Sequence, residues 1–359
     1  MKRGLIEWDP RELPRETLAA RVAHAQALLA ADGLDAALVY TNVAAPQLAR
    51  YLTHFLPYWN EGVLVLPREG APTLLVALSN RVVPWIKGSS ALEDVRACRQ
   101  PAAEAARLLA ERGAQRIGLA ERGSFPYRLL AELERAAPDI AFADWPALAA
   151  SLTLATAPAE RRLRARAREL AEHGLRSLGD MVDGRSAQQL AGQLDLALRL
   201  AGATDTRVLV GPLGRWPGVP TALPGDAAAV GDAERSGAVP LARAANVLCE
   251  VEYKGHWALV ARTLGLPAAD QRAGSERLHH LCTPGSTIAE AAAAARAAHG
   301  GALFAYRAGT AAPFVALDET DRLGVGDIVA LVTLSPADGG ALYGDTFVVA
   351  PDGLKPLAS

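Results

Sequence analysis

The sequence predicts an α/β (α+β) protein of two domains, a mixed α/β domain over residues 1–157 and a second domain over residues 158–359. Three observations lead there. The chain has 359 residues, 50% of them hydrophobic, which is enough for two separate cores. Its first part alternates helix-period segments with short apolar runs of strand length. Near Ala155–Pro158 the composition shifts to a long arginine-rich helical stretch, which marks the boundary.

The elements follow in order. From Glu16 to Ala31 the apolar residues Leu18, Val22, Ala25, Leu28 and Leu29 recur at helical spacing, and Gly33 stops the helix. Ala36–Tyr40 is a short apolar strand. Gly62–Leu66 and Pro72–Leu78, joined by Pro67-Arg68-Glu69-Gly70, read as a hairpin. Pro101–Arg112 is a helix with proline in its first turn, ending before Gly113. A strand at Arg116–Ala120 and a helix at Tyr127–Arg135 follow.

The second domain opens with a helix at Ala159–Leu178. Its arginines (Arg161, Arg162, Arg164, Arg166, Arg168) read as a solvated face paired with Glu160, Glu169 and Glu172. Ser186–Leu200 is a second helix. Gly202–Gly237, rich in Gly and Pro, reads as a long functional loop. Strands are expected at Asn246–Tyr253 and His256–Thr263, and a helix at Thr287–His299 after Pro284-Gly285-Ser286. Strands at Asp327–Leu334 and Leu342–Val349 finish the chain, joined by the turn Pro336–Gly340.

Composition excludes several classes. With 37 Lys and Arg against 39 Asp and Glu, the net charge of −2 does not suit a phosphate-driven nucleic-acid binder, and no aromatics interleave the arginine run. Three scattered cysteines (Cys98, Cys249, Cys282) make neither a disulfide framework nor a Cys-rich zinc site. Residues 1–16 lack the apolar core of a signal peptide, and no apolar run is long enough to span a membrane. The expected setting is the cytoplasm, with no nucleic-acid or membrane partner.

Several segments resemble landmarks of one family. Arg21, Leu34–Val39 and Tyr51-Leu52-Thr53 resemble the N-terminal domain of the creatinase/prolidase family. Pro158-Ala159-Glu160-Arg161, Val247–Glu252, Gly255-His256-Trp257 through Ala261-Arg262-Thr263, Pro284-Gly285-Ser286-Thr287 and Gly340–Val349 resemble its C-terminal pita-bread domain. The resemblance implies a homodimer and a site on a curved sheet under the N-terminal domain. It also implies two divalent ions held by two Asp, one His and two Glu, with a bridging water activated between them.

The ligand positions depart from that pattern. The two Asp fall on Leu248 and Leu259. The histidine motif reads Gly309-Thr310-Ala311. The first Glu falls near Val332, or on Ser335 if Ser335-Pro336 replaces a Glu-Pro, and the second falls on Gly344. A stable transition-metal site needs about three protein ligands, so no metal site and no cofactor are expected. His279-His280, read as lying on a helix, point apart and cannot share an ion.

Creatinase, within this family, works without metal and uses histidine as acid and base on a small guanidino substrate. The same resemblance therefore implies that catalysis can survive here on a small amide, imine or guanidino-type C–N substrate. The alternative is an inactive descendant that binds a small molecule, peptide or protein.

The candidate catalytic residues are Glu250 and Glu252, which share a strand face with Leu248 by period two, together with Tyr253 and His256. The candidate substrate-binding residues are Arg215 and Trp216 in the Gly/Pro-rich segment, Arg262, Tyr306, Arg307, Thr310 and Asp345. Arg262 or Arg307 would hold a substrate anion, and Asp345 would pair with one of them.

Overall fold

The computed structural model describes residues 7–57, 59–151, 157–178, 182–217, 241, 243–308 and 314–357. The chain divides into two compact units, the first ending at Ala159 and the second beginning at Glu160. Thr310 lies outside the described residues, as do Ala155, Thr156 and the segment 218–240.

The first unit is built on a six-stranded sheet. Its elements are α1 (Arg15–Ala31), β1 (Ala36–Asn42), α2 (Gln47–Thr53), β2 (Glu61–Pro67), β3 (Thr73–Val76), α3 (Val83–Gly88), β4 (Asp94–Ala97), α4 (Pro101–Glu111), β5 (Arg116–Ala120), α5 (Tyr127–Ala136), β6 (Ala141–Asp144) and α6 (Ala147–Ser151). The strand order is β4-β3-β2-β1-β5-β6. The hairpin β2–β3 is antiparallel, and β1, β5 and β6 run parallel. Because alternate side chains leave a strand on opposite faces, the sheet feeds two cores. Val39, Leu64 and Leu74 pack under Leu29 of α1, Leu52 of α2 and Ile86 of α3, while Leu38, Val65 and Ile117 pack under Leu109 of α4 and Leu133 of α5.

The second unit runs α7 (Pro158–Ser177), α8 (Ala187–Leu200), β7 (Asp205–Pro212), β8 (Ala245–Tyr253), β9 (His256–Leu264), α9 (Ala268–Leu278), α10 (Ile288–His299), β10 (Leu303–Ala308), β11 (Phe314–Ala316), β12 (Ile328–Ser335), β13 (Ala341–Ala350) and β14 (Gly353–Pro356). The sheet order is β11-β10-β12-β13-β9-β8-β7, with β14 beside β13. Ser186 and Thr287 start α8 and α10 with capping boxes completed by Gln189 and Glu290. Tyr253–His256 closes the β8–β9 hairpin with Lys254 and Gly255 both at positive φ, the two-residue turn that suits strand twist.

Three expectations need correcting. Asp205–Pro212 is a strand paired with β8 over its whole length, not loop. Its Thr206, Val208 and Val210 are β-branched, and that local preference outweighs the Gly/Pro count around it. The arginine run of α7 is not all solvated: Arg164 is buried and donates to the Trp257 carbonyl, and Arg168 reaches the sheet. His279 caps the end of α9, with its ring edge-on to Phe347, and His280 lies beyond that helix.

Among the described residues of this unit, helices pack on one face of the sheet. Val247, Cys249, Val251 and Val260 pack on α7 and α8, and Val329, Leu331, Tyr343 and Phe347 pack on α9 and α10. The other face carries Leu248, Leu259, Ala261, Ala330, Val332 and Leu342, with Trp216, Phe304 and Tyr306 against them and no helix in the cluster. Trp216 follows β7 and Phe304 lies on β10, which are five strand spacings apart in the sheet order. A flat sheet would separate them by roughly 24 Å. Their ring centroids are 4.1 Å apart, so the sheet curls with the helix-free face inside.

Candidate functional site

The inner, helix-free face holds the site. Registers across β7, β8 and β9 place Arg207, Glu250 and Leu259 in one row, and β12–β10 continue it with Ala330 and Tyr306. Thr346 joins β13 to this row: its hydroxyl accepts from the Leu259 N–H and donates to the Leu259 carbonyl, both at 2.8 Å.

Glu250 is 1% exposed. Arg207 Nη2 donates to its Oε1 at 2.5 Å, while Oε2 is buried and has no hydrogen-bond partner among the described residues. Burial disfavours the charged carboxylate more than Arg207 favours it, and the Glu250 pKa is pushed up to about 7. The group is thus divided between acid and base near neutrality. Tyr306 approaches from the facing wall of the curl. Burial and the Glu250 carboxylate hold its phenol protonated, with a pKa pushed up to about 12. Arg207 is half exposed and reaches both the row and solvent.

The other candidates divide by strand alternation. Glu252 shares the Glu250 face, but it is buried and its Oε1 accepts from the Gly255 N–H at 2.9 Å, which ties the hairpin turn. Trp216 stands on the same face against Phe304. Arg215 is exposed, and its backbone carbonyl accepts from Asn246 Nδ2 at 2.9 Å. Tyr253 and His256 face each other in register on the opposite, helix-covered side, where Tyr253 packs with the α7–α8 core and His256 Nδ1 lies 3.1 Å from the Lys254 carbonyl.

Arg262, Arg307 and Asp345 also point away from Glu250. Asp345, 2% exposed, receives Arg168 through two bonds of 2.6 Å and Arg262 Nη2 at 3.3 Å. Arg262 also meets Glu172 and the Gly344 carbonyl. Of the two expected partners, Asp345 pairs with Arg262 and not with Arg307, and Arg168 joins it as a second arginine. Arg307 pairs with Asp327 at 3.2 Å and donates to the Arg322 carbonyl. Neither Arg262 nor Arg307 can hold an anion beside Glu250. Arg207 is the arginine on that face, and reading β7 as loop hid it. Its signal was the Thr206–Val210 run, whose pairing with β8 sets Arg207 opposite Glu250.

Of the positions where the resemblance implied metal ligands, Gly309–Ala311 lies outside the described residues, and Leu248, Leu259, Val332 and Gly344 carry no ligating side chain. Leu248, Leu259 and Val332 are buried among one another. A Cβ on Gly344 would lie 2.8 Å from the Ala261 Cβ and 2.9 Å from Val332 Cγ2, so a longer side chain has no room there. Ser335 donates instead to Asp338 in the following turn at 2.9 Å. Among the described residues no cluster of three or more His, Cys, Asp or Glu could hold an ion. No helix among them is long and apolar enough to cross a membrane.

Residues 21–152 match the Creatinase/Prolidase N-terminal domain. A comparison with curated protein sequences gives no match. Among solved structures, the chain is similar to the prolidase from Pyrococcus horikoshii OT3 (17% identity, TM-score 0.70, 95% of this chain and 98% of that one). It is also similar to the Xaa-Pro dipeptidase from Bacillus anthracis (20%, 0.70, 95% and 98%) and to the dipeptidase PepE from Mycobacterium ulcerans (21%, 0.68, 96% and 96%).

Proposed function

We propose, for a chain that carries a creatinase/prolidase N-terminal domain and folds throughout like the prolidases, a metal-independent enzyme that cleaves a C–N bond in a small amide, imine or guanidino-type substrate by acid/base chemistry. The observation that carries this reading is Glu250. It is a carboxyl group buried on the inner face of a curled sheet, with one oxygen on Arg207, the other unpartnered among the described residues, and a pKa near neutrality.

The chemistry divides among three groups. Glu250 gives a proton to the nitrogen as the C–N bond breaks and takes one from the water whose oxygen bonds to the substrate carbon, leaving the carboxyl group as it began. The protonated Tyr306 hydroxyl donates to the charge that develops on the attacked centre. Arg207 holds an anionic group of the substrate. The inner wall of Trp216, Phe304 and Leu248 supplies apolar contact. The described inner-face residues offer no donor set for a metal, and no step is routed through one.

The test is turnover of a panel of N-acyl, N-carbamoyl and guanidino acids, with Glu250→Gln compared against the parent chain. Glu250→Gln keeps the shape and loses the proton, so kcat/KM is expected to fall by about 100-fold or more. Unchanged turnover would refute the assigned role. Absence of turnover across the panel would favour the second reading, a non-catalytic small-molecule binder, for which the dense apolar packing around Leu248 and Leu259 speaks. The proposal includes a homodimer in the cytoplasm, on the strength of the fold; sedimentation velocity of the purified chain tests the dimer.

A further inference from the structure

Glu250 and Arg207 are an unequal pair. The carboxylate is sealed in, while the guanidinium is 47% exposed along its side chain. Among the described residues Arg207 gives one N–H to a protein acceptor, out of the five that an arginine carries. It is therefore free to turn toward a ligand, and Glu250 is not free to follow. Among the described residues, the other groups beside Glu250 cannot replace it. Leu259, Thr346 and Ala330 continue the Glu250 row across the sheet, and the Thr346 hydroxyl is spent on the backbone of β9. Tyr306 is a neutral phenol, and Glu252, two residues along β8, is held by the hairpin turn. No second cation among these groups stands ready to keep Glu250 ionised once Arg207 is engaged elsewhere.

Charge balance then selects the ligand. The resting row holds one positive and one negative group. A cationic ligand would leave a net positive charge against an apolar wall. A carboxylate ligand that takes Arg207 leaves a net negative charge unless Glu250 binds a proton, and the unpartnered Oε2 is the atom that can accept it.

We infer that the substrate is a carboxylic acid whose carboxylate docks on Arg207, and that this docking draws a proton onto Glu250 Oε2, arming it as the acid that is delivered to the substrate nitrogen. This rests on the catalytic reading of Glu250 given above. The proton comes from solvent, passes to the substrate nitrogen as the C–N bond breaks, and is replaced by one from the water whose oxygen bonds to the substrate carbon. Because Arg207 is the group that lowers the Glu250 pKa, its removal from Oε1 moves that pKa upward from about 7.

The experiment is calorimetric titration of the whole chain with acetate and with benzoate, in two buffers of different ionisation enthalpy, between about pH 6 and pH 8. Near pH 6 Glu250 is protonated with or without ligand, so binding takes up almost no proton. Near pH 8 uptake is expected to approach about one proton per ligand, and the affinity to weaken about tenfold per pH unit above 7. Arg207→Gln is expected to abolish saturable binding. Glu250→Gln is expected to bind benzoate with no proton uptake and no pH dependence.

Binding without uptake near pH 8 would overturn the inference, as would binding that survives Arg207→Gln or an absence of saturable binding by either probe. The two readings fail separately. A chain that takes up no proton but loses turnover in Glu250→Gln refutes the docking inference alone. A chain that takes up the proton yet keeps its turnover in Glu250→Gln refutes the catalytic role alone.

Discussion

Two carboxylates in the second unit invite comparison: Asp345 and Glu250. Both are almost fully buried, both lie on strands of the same sheet, and both meet arginine. They sit on opposite faces. Under the helices, Asp345 Oδ1 accepts from Arg168 Nε and the Thr346 N–H, and Oδ2 accepts from Arg168 and Arg262. Every lone-pair direction that matters is filled, and Glu172 balances the second arginine. On the inner face, Glu250 has one arginine on one oxygen. A buried carboxylate with all its partners is held in place by them and acts as structure. One with half its partners is left to trade protons. Burial alone does not separate the two; the inventory of partners does.

The largest expected effect comes from breaking the complete network. Asp345→Ala leaves Arg168 and Arg262 under the helices with Glu172 as their remaining counter-charge, and it is expected to cost about 3 to 5 kcal/mol in urea unfolding. A loss below about 1 kcal/mol would show that the network relaxes into solvent, and the contrast between the faces would fail.

Glu250 should behave in the opposite sense. Its pKa is raised in the folded state, from 4.5 to about 7, so the folded chain holds a proton that the unfolded chain has released. The stabilisation from that proton is full below about pH 4.5 and is lost as pH rises through 7. The shift corresponds to about 3 kcal/mol. Glu250→Gln removes the titration. Its unfolding free energy should therefore change less than that of the parent chain between about pH 5 and pH 8, and the variant should be the more stable of the two at the upper end. Equal slopes for parent and variant would place the titration elsewhere.

The same contrast explains what could be read from the sequence. Strand alternation along β8 set Glu250, Glu252 and Leu248 on one face, and the structure keeps them there. The same rule sends Tyr253 to the other face directly, and His256 and Arg262 across the hairpin turn, but for Arg307 and Asp345 it needs registers between strands distant in sequence. Those registers come from tertiary pairing, such as Gly344 beside Ala261, and no local pattern encodes them. Arg207 was missed because glycines and prolines dominate the segment around a strand of eight residues. The residues at the ligand positions implied by the resemblance were readable because each is one residue in a recognisable stretch. The curl was legible only through the resemblance, since it depends on contacts such as Trp216 with Phe304 across the whole sheet. The N-terminal unit was easier: helix stops at Gly33 and Gly113 and the hairpin of β2 and β3 are local signals, and the structure has them where the periodicity put them.

Asn246 gives the finest test, because it lies on the Glu250 face but is satisfied as Asp345 is. It is fully buried; its Nδ2 donates to the carbonyls of Arg215 at 2.9 Å and Gly340 at 3.0 Å, and its Oδ1 accepts from the Thr263 hydroxyl at 2.7 Å. Thr263 in turn accepts from the Leu342 N–H. This chain of bonds pins the segment that carries Trp216 to β8 and β13. If completeness of partners rather than choice of face decides the role, Asn246→Ala should cost about 2 kcal/mol by orphaning those groups. That cost should be the same at about pH 5 and pH 8, because nothing in the network titrates there. A pH-dependent cost would mean that Asn246 is coupled to Glu250, and the inner face would then be one electrostatic unit rather than a structural frame around a single reactive carboxyl group.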